Sequence, residues 1–289
     1  MSFSIQAPID QFDLPHPGGT GTFKISVSRV ANPPADGKVP VLFVLDADIG
    51  FALAAEIARL RGTVGTLPTA MIVGVGYGAE YTEFAKLRTA DLTPPLSEAG
   101  RAALGGMTGM IGDKDGGAEA FLTFLVDTLA PEIERRYPEA SATDRILYGH
   151  SLGGLFAAYA LLTRPDAFAT FLAGSPSLWW DGFAVLGHLP DFAGRLAGVE
   201  RQPRVLVSVG GQEQEAPAKV PAGLEMTIEQ MQAMVAACRM VDAVPEFVAA
   251  LRKAGLAEAD SHIFDGEDHG SVIPAAMMRG LRFAVPDPA

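Results

Sequence analysis

Four short stretches of this chain are almost continuously apolar, and they constrain its fold more than any other feature. They are Val41-Leu-Phe-Val-Leu45, Met71-Ile-Val-Gly-Val75, Ile146-Leu-Tyr148 and Val205-Leu-Val-Ser-Val209. Strands that read this way are buried on both sides, which requires a parallel sheet covered by helices. Helical segments lie between and after them, at Phe51 to Arg61, Ala118 to Arg136, Leu152 to Thr163, Ile228 to Arg239 and Pro245 to Ala254. The alternation predicts an α/β fold with right-handed crossovers: a mostly parallel central sheet with helices on both faces. Phe23-Lys-Ile-Ser-Val-Ser-Arg-Val30 differs, since its apolar and polar residues alternate as in a half-buried strand.

The chain can fill such an interior. Of its 289 residues 48% are hydrophobic and only 19% charged, and a chain of this length buries roughly 75% of its unfolded surface. Two Gly- and Pro-rich stretches, Asp91 to Gly117 and Gly210 to Gly223, are flanked by sheet-type runs. They read as loop or lid excursions from a single domain over residues 1–289. A net charge of −12 and a pI near 4.8 argue against a binder of nucleic-acid backbones, which needs a basic face. No stretch approaches 18 uninterrupted apolar residues, so no membrane span is expected. The first ten residues carry neither a basic nor an apolar leader pattern. The single cysteine, Cys238, cannot form an intrachain disulfide and sits in the apolar run Met231 to Met240. It reads as a small core hydrophobe, and the expectation is a soluble, cytoplasmic protein.

The chemistry is concentrated in Gly149-His-Ser-Leu-Gly153. G-x-S-x-G alone is a weak signal, but here it follows an apolar strand and opens an Ala-rich helix, the context of a nucleophile elbow. Glycines suit a turn so sharp that side chains would strike the adjoining strand and helix. A serine at its free pKa needs a base and an orienting acid, and in elbow enzymes these follow in the order Ser, Asp or Glu, His. His16 and His150 precede Ser151. Of the others, His188 lies between helical pieces and His262 within the expected last strand, Ser261 to Phe264. His269 lies just beyond that strand, before a helix start at Ser271, and is the expected base. The acid should follow the preceding strand, where Glu213 stands three residues past Gly210; Glu215 and Asp268 are rivals, and a serine–histidine dyad is the remaining alternative. Backbone donors for an oxyanion are expected at Leu152, after the nucleophile, and at Ala47 or Asp48, after the strand ending at Leu45.

At this point the chain resembles the esterase branch of the α/β-hydrolases, which holds siderophore esterases, S-formylglutathione hydrolase, feruloyl esterases and mycolyl transferases. The likeness rests on Leu45-Asp-Ala-Asp48, Ile72-Val-Gly-Val-Gly-Tyr77, Arg88-Thr-Ala-Asp-Leu-Thr-Pro94, Gly149-His-Ser-Leu-Gly-Gly154 and Ser175-Pro-Ser-Leu-Trp-Trp-Asp181. Arg-x-x-Asp-x-Thr-Pro with Ser-Pro-Ser-Leu-Trp-Trp is similar to the enterobactin-type, siderophore-esterase-like subgroup. Relatives often carry glycine where Ala47 stands. The resemblance implies an α/β-hydrolase fold with Ser151 as nucleophile, His269 as base and Glu213 at the acid position. It also implies a place for Arg88 near the site, binding an anionic or carbonyl-bearing substrate or else pairing with Asp91 to pin its loop. Trp179 and Trp180 would wall an acyl pocket or pack in the core.

Gly74-Val-Gly-Tyr-Gly-Ala79 matches the dinucleotide-binding pattern formally, but polar, irregular sequence is expected after it instead of a helix. Asp113-Lys-Asp-Gly116 lacks the rest of a calcium loop, and no H-E-x-x-H or C-x-x-C occurs, so neither cofactor nor metal is expected. The expected activity is hydrolysis of a small-molecule carboxylic ester, a siderophore lactone or aryl ester, through an acyl-enzyme on Ser151. An acyltransferase or thioesterase would use the same intermediate. A non-catalytic binding protein on the same fold is the third reading. The oligomeric state leaves no mark in the sequence.

Overall fold

The apolar runs become β3 (Val39–Val44), β4 (Met71–Gly76), β5 (Ala140–His150) and β7 (Arg204–Gly210). With β1 (Ile9–Pro15), β2 (Thr22–Ser28), β6 (Thr170–Gly174) and β8 (Glu258–Phe264) they form one sheet, ordered β1-β2-β4-β3-β5-β6-β7-β8. The computed structural model describes residues 9–19, 21–30, 37–63, 69–104, 112, 114–220 and 226–286. β2 runs antiparallel to both β1 and β4, and every other pairing is parallel. This is the mostly parallel sheet that the apolar runs of the sequence predict.

Side chains alternate across each strand. In β3, Val41 and Phe43 enter one apolar cluster, while Leu42 and Val44 enter the other. The second cluster is covered by α1 (Ala47–Thr63), through Phe51 and Ala54, and by the C-terminal helix, through Met277 and Leu281. The opposite face packs on Phe121, Ile133, Phe156 and Phe247 from four other helical segments. Ten helices are used below: α1, α2 (Tyr81–Leu92), α3 (Glu98–Ala103), α4 (Ala118–Phe124), α5 (Ala130–Arg136), α6 (Leu152–Thr163), α7 (Leu189–Ala197), α8 (Ile228–Cys238), α9 (Ala243–Lys253) and α10 (Val272–Ala284).

Some expectations need correction. A helix, α2, opens at Tyr81 where irregular sequence was expected, and Asp91 lies in its last turn instead of in a loop. Its buried face carries Thr89 and Asp91 beside Phe84 and Leu92, and those polar residues hide the apolar period. The helix expected over 118–136 is α4 and α5 joined by a π-helical turn, Leu125–Leu129, just ahead of Pro131, which has no N–H to give the ladder. The stretch 91–117 holds α3, while its residues 105–111 and 113 lie outside the described residues, as do 221–223 of the second stretch. Asp113 of the calcium-loop candidate is among them. Cys238 packs half-buried at the end of α8, and burial pushes its thiol up to about 11, which suits a structural residue. No described helix is long and apolar enough to cross a membrane.

The topology positions the site. From β3 the chain crosses to β4 on one side, and β5 flanks it on the other. Such a switch point opens a crevice at the carboxyl ends of the strands. The turns after β3 and β5 sit side by side there, with Leu45 N–H donating to the Tyr148 carbonyl at 3.0 Å.

Candidate active site

Ser151 links β5 to α6 at φ 60°, ψ −117°, a region that residues with a Cβ avoid. Three backbone bonds hold it. Its N–H donates to Gly174 O (2.9 Å), and its carbonyl accepts from Leu155 N (2.9 Å) and Ser177 N (3.1 Å). The steric need for glycine is explicit. A Cβ on Gly149 would stand 2.1 Å from Gly153 O, and one on Gly154 would stand 2.6 Å from Gly174 O. The elbow is therefore clamped between its own helix and the end of β6.

Ser151 and His269 line one cavity of about 520 Å³ at the carboxyl edge of the sheet. His269 follows β8, and its Nδ1 lies 2.5 Å from Glu213 Oε2. No hydrogen bond joins His269 to Ser151 among the described residues; in unliganded sites such contacts often close only around substrate. Glu213 is anchored at its other oxygen. Oε1 accepts from Ser175 Oγ (2.5 Å) and from the N–H of Gly210 (2.6 Å), and the side chain is 1% exposed. Burial acts to raise its pKa, but the bonds from His269, Ser175 and Gly210 outweigh burial and hold it below the ordinary carboxylate value. The loops that carry Glu213 and His269 are tied together by Gly211 N–H to Phe264 O (2.8 Å) and Gln212 N–H to Glu267 O (3.0 Å). Gly210 must be glycine, because a Cβ there would stand 2.4 Å from Glu267 O.

The rival residues are occupied elsewhere. Asp268 Oδ1 accepts from the N–H groups of Gly270 and Ser271, both at 2.8 Å, at the start of α10. Glu215 is exposed. His262 packs edge-on against Phe264, and His188 against Tyr159. Leu152 is the first residue of α6, and Ala47 and Asp48 open α1, so the N–H groups at both helix starts lack intrahelical acceptors. The Asp48 carboxylate turns away, accepting from the N–H groups of Tyr77 and Gly78. The cavity wall at that turn is formed by Leu45, Asp46, Ile49 and Gly50.

Arg88 does line the cavity, but its partner is not Asp91. Its Nε and Nη2 donate to the two oxygens of Asp46 at 2.8 and 2.6 Å. Asp91, on the same helix, instead meets His16 Nε2 at 2.9 Å. Trp180 is a core residue, 1% exposed, with its indole N–H on the Pro94 carbonyl at 3.2 Å. Trp179 is half-buried and lines the cavity beside it.

Sequence reasoning did not single out Asp46, Ser175 or His150. Ser175 is fully buried at φ 40° and anchors Glu213. His150 packs its ring 4.6 Å from that of His269, and burial, helped by His269, lowers its pKa to about 3. It is therefore uncharged at neutral pH. Its ring nitrogens and the Tyr148 hydroxyl are buried and have no hydrogen-bond partner among the described residues. Among the described residues no cluster of three or more His, Cys, Asp or Glu could hold a metal ion.

Comparison with known proteins agrees with this fold. The family model described as "Putative esterase" matches residues 24–243. The chain is 34% identical to the ferri-bacillibactin esterase of Bacillus subtilis, over 91% of this chain and 85% of that one. It is 32% identical to the siderophore triacetylfusarinine C esterase of Aspergillus fumigatus, over 85% and 81%. Among solved structures, the siderophore hydrolase EstA from Aspergillus nidulans superimposes with a TM-score of 0.82 at 28% identity, covering 100% of this chain and 99% of that one. The elbow, the mostly parallel sheet and these relatives lead to one conclusion: the chain is a carboxylic ester hydrolase that belongs to the esterase family of α/β-hydrolases, in its siderophore-esterase-like subgroup.

Proposed function

We propose that the protein hydrolyses an ester bond of a siderophore, with Ser151, His269 and Glu213 acting as a catalytic triad. The observation that carries the triad is the buried Glu213 carboxylate 2.5 Å from His269 Nδ1, in the cavity that also exposes the strained Ser151 turn. With Nδ1 committed to Glu213, Nε2 is the nitrogen free to take the Ser151 proton. The serine oxygen attacks the ester carbonyl, and the charge that develops on the carbonyl oxygen is met by the N–H of Leu152 and that of Ala47 or Asp48. Collapse breaks the bond to the leaving oxygen, which takes that proton from His269 and departs as the alcohol. Water, deprotonated by the same imidazole, then releases the acid from Ser151. Glu213 orients the ring and balances its positive charge in both halves of the cycle. Neutral His150 packs against that ring without adding a second positive charge.

The siderophore assignment rests on the relatives, which are named for siderophore esters. A cytoplasmic setting suits the lone, half-buried cysteine. The test is p-nitrophenyl ester hydrolysis and fluorophosphonate labelling, comparing wild type with Ser151→Ala and His269→Ala. Turnover and labelling should both vanish in Ser151→Ala, and His269→Ala should keep the fold but lose most of the rate. Wild-type activity in Ser151→Ala would refute the mechanism.

A further inference from the structure

The cation in the cavity is already neutralised. Arg88 forms a two-pronged ion pair with Asp46, and the two side chains are 16% and 11% exposed. Asp46 is well placed to keep it. It stands at φ 52°, a conformation that Asp and Asn tolerate better than most residues. Its Oδ2 also lies 3.3 Å from where a Cβ of Gly153 would be, beside the first turn of α6, where a negative charge is favoured. A guanidinium held this way presents a hydrogen-bonding edge with little net charge.

Nothing else in the cavity replaces that charge. All 22 lysines and arginines of the sequence fall among the described residues, and Arg88 alone lines the cavity. Glu213 behind His269 adds a further negative charge, and the chain as a whole carries −12. The remaining walls combine apolar and aromatic residues, among them Ile49, Tyr81, Phe84 and Trp179, with the uncharged polar residues Thr89 and Ser177. Tyr81 and Ile49 are among the most exposed large apolar side chains in the protein, at 71% and 58%.

We propose that this site selects esters whose body is uncharged and discriminates against anionic ones, with the Asp46–Arg88 pair setting that preference. This deepens the hydrolase reading and rests on it. The pair offers a donor edge to a substrate carbonyl, while an incoming carboxylate or phenolate loses its water and finds no uncompensated cation, because Asp46 already holds Arg88.

A matched pair of substrates tests the idea: p-nitrophenyl hexanoate and mono-p-nitrophenyl adipate, which differ by a terminal methyl against a carboxylate. Wild-type kcat/KM should be at least about tenfold lower for the adipate ester, with the gap narrowing as salt screens the carboxylates. Asp46→Asn frees Arg88 and should raise the adipate rate relative to hexanoate by about tenfold. Arg88→Gln leaves Asp46 unpaired and should lower it by a similar factor. The double variant, with neither charge, should return to within about threefold of the wild-type ratio, as a coupled pair requires. A wild-type preference for the adipate ester would overturn the proposal, as would an Asp46→Asn ratio that does not move. So would a double variant that loses the adipate ester selectively, since that pattern belongs to an arginine that recruits anions. Failure of the hydrolase reading shows up separately, as turnover that survives Ser151→Ala.

Discussion

Replacing Glu213 by Gln should be more damaging than removing the side chain altogether, for a reason the geometry supplies. Oε1 accepts two hydrogen bonds, from Ser175 Oγ and Gly210 N–H, while Oε2 faces His269 Nδ1. A Gln side chain in the same place has one acceptor and one donor end. The Gly210 N–H cannot rotate into an acceptor, so the amide oxygen must occupy the Oε1 position. The amide NH2 then points at His269 Nδ1 and accepts nothing from it. Nδ1 has to give up its proton and become the acceptor, which leaves the proton on Nε2, facing the nucleophile. That tautomer cannot take a proton from Ser151. The expected loss is about 10³- to 10⁴-fold in kcat, the scale of a triad whose histidine is held in the wrong tautomer, or about 4–5.5 kcal/mol of barrier. Glu213→Ala imposes no tautomer and should fall by less, although it leaves two buried donors unpaired and costs more stability. The assay is p-nitrophenyl ester turnover under saturation, with thermal unfolding measured in parallel. A Gln variant retaining more than about a tenth of the wild-type kcat would refute the assignment. It would leave the site as a serine–histidine dyad.

Three further outcomes follow from particular contacts. Ser175→Ala removes a bond that lowers the Glu213 pKa, so it should cost about 1–2 kcal/mol at pH 7. A carboxylate whose folded pKa lies below its unfolded value stabilises above that unfolded value, and the contribution disappears as pH falls through the folded one. The stability gap between wild type and Ser175→Ala should therefore be widest at neutral pH and shrink as pH falls below the ordinary carboxylate value of 4.5 and through the lower folded one, as read by urea unfolding; a gap independent of pH would rule out the link through Glu213. Gly149→Ala drives a Cβ to 2.1 Å from Gly153 O, and should destabilise by at least about 3 kcal/mol. Gly187→Ala, with nothing within 4 Å of the new methyl, should stay within about 0.5 kcal/mol; equal urea midpoints for the two would contradict the steric account of the elbow. Burial holds the Cys238 thiol near 11, so iodoacetamide should modify it in the native protein many times more slowly at pH 8 than in urea. Equal rates would mean that the thiol is freely exposed.

What the sequence announced and what it concealed divide along one physical line. The buried strands declared themselves because burial on both faces leaves its mark in consecutive residues, and Gly149 to Gly154 because a strained turn between strand and helix demands glycine within a six-residue window. His269 could be placed because fold topology fixes the order in which strand ends reach the crevice. Two strands escaped: β6 is five residues long, too short to show a period, and β1 is an edge strand with Asp10 and Asp13 in it, the kind of charge that edges carry. The side-chain pairs escaped as well. Ser175 meets Glu213 across 38 residues, Arg88 meets Asp46 across 42, and His16 meets Asp91 across 75. A charged or polar side chain carries no local record of which distant partner it will find.

The Arg88–Asp91 alternative shows how that ignorance acts. Asp91 lies three residues along the same helix, a spacing at which opposite charges commonly meet, so a local rule names it as partner. Yet the Asp91 carboxylate is almost buried, and its burial is compensated by His16 arriving from the end of β1. Arg88 is thereby left to Asp46, which the β3–α1 turn delivers beside the Ser151 elbow. The strand order that creates the crevice thus also sets its charge. The same adjacency of β3 and β5 that places the β3–α1 turn beside the Ser151 elbow brings the Asp46 carboxylate to the cation. The proposed oxyanion donors and the proposed selective pair share a single turn, which is why substitution at Asp46 should change which ester is preferred while the Glu213–His269 bond, formed at the far strands β7 and β8, stays in place.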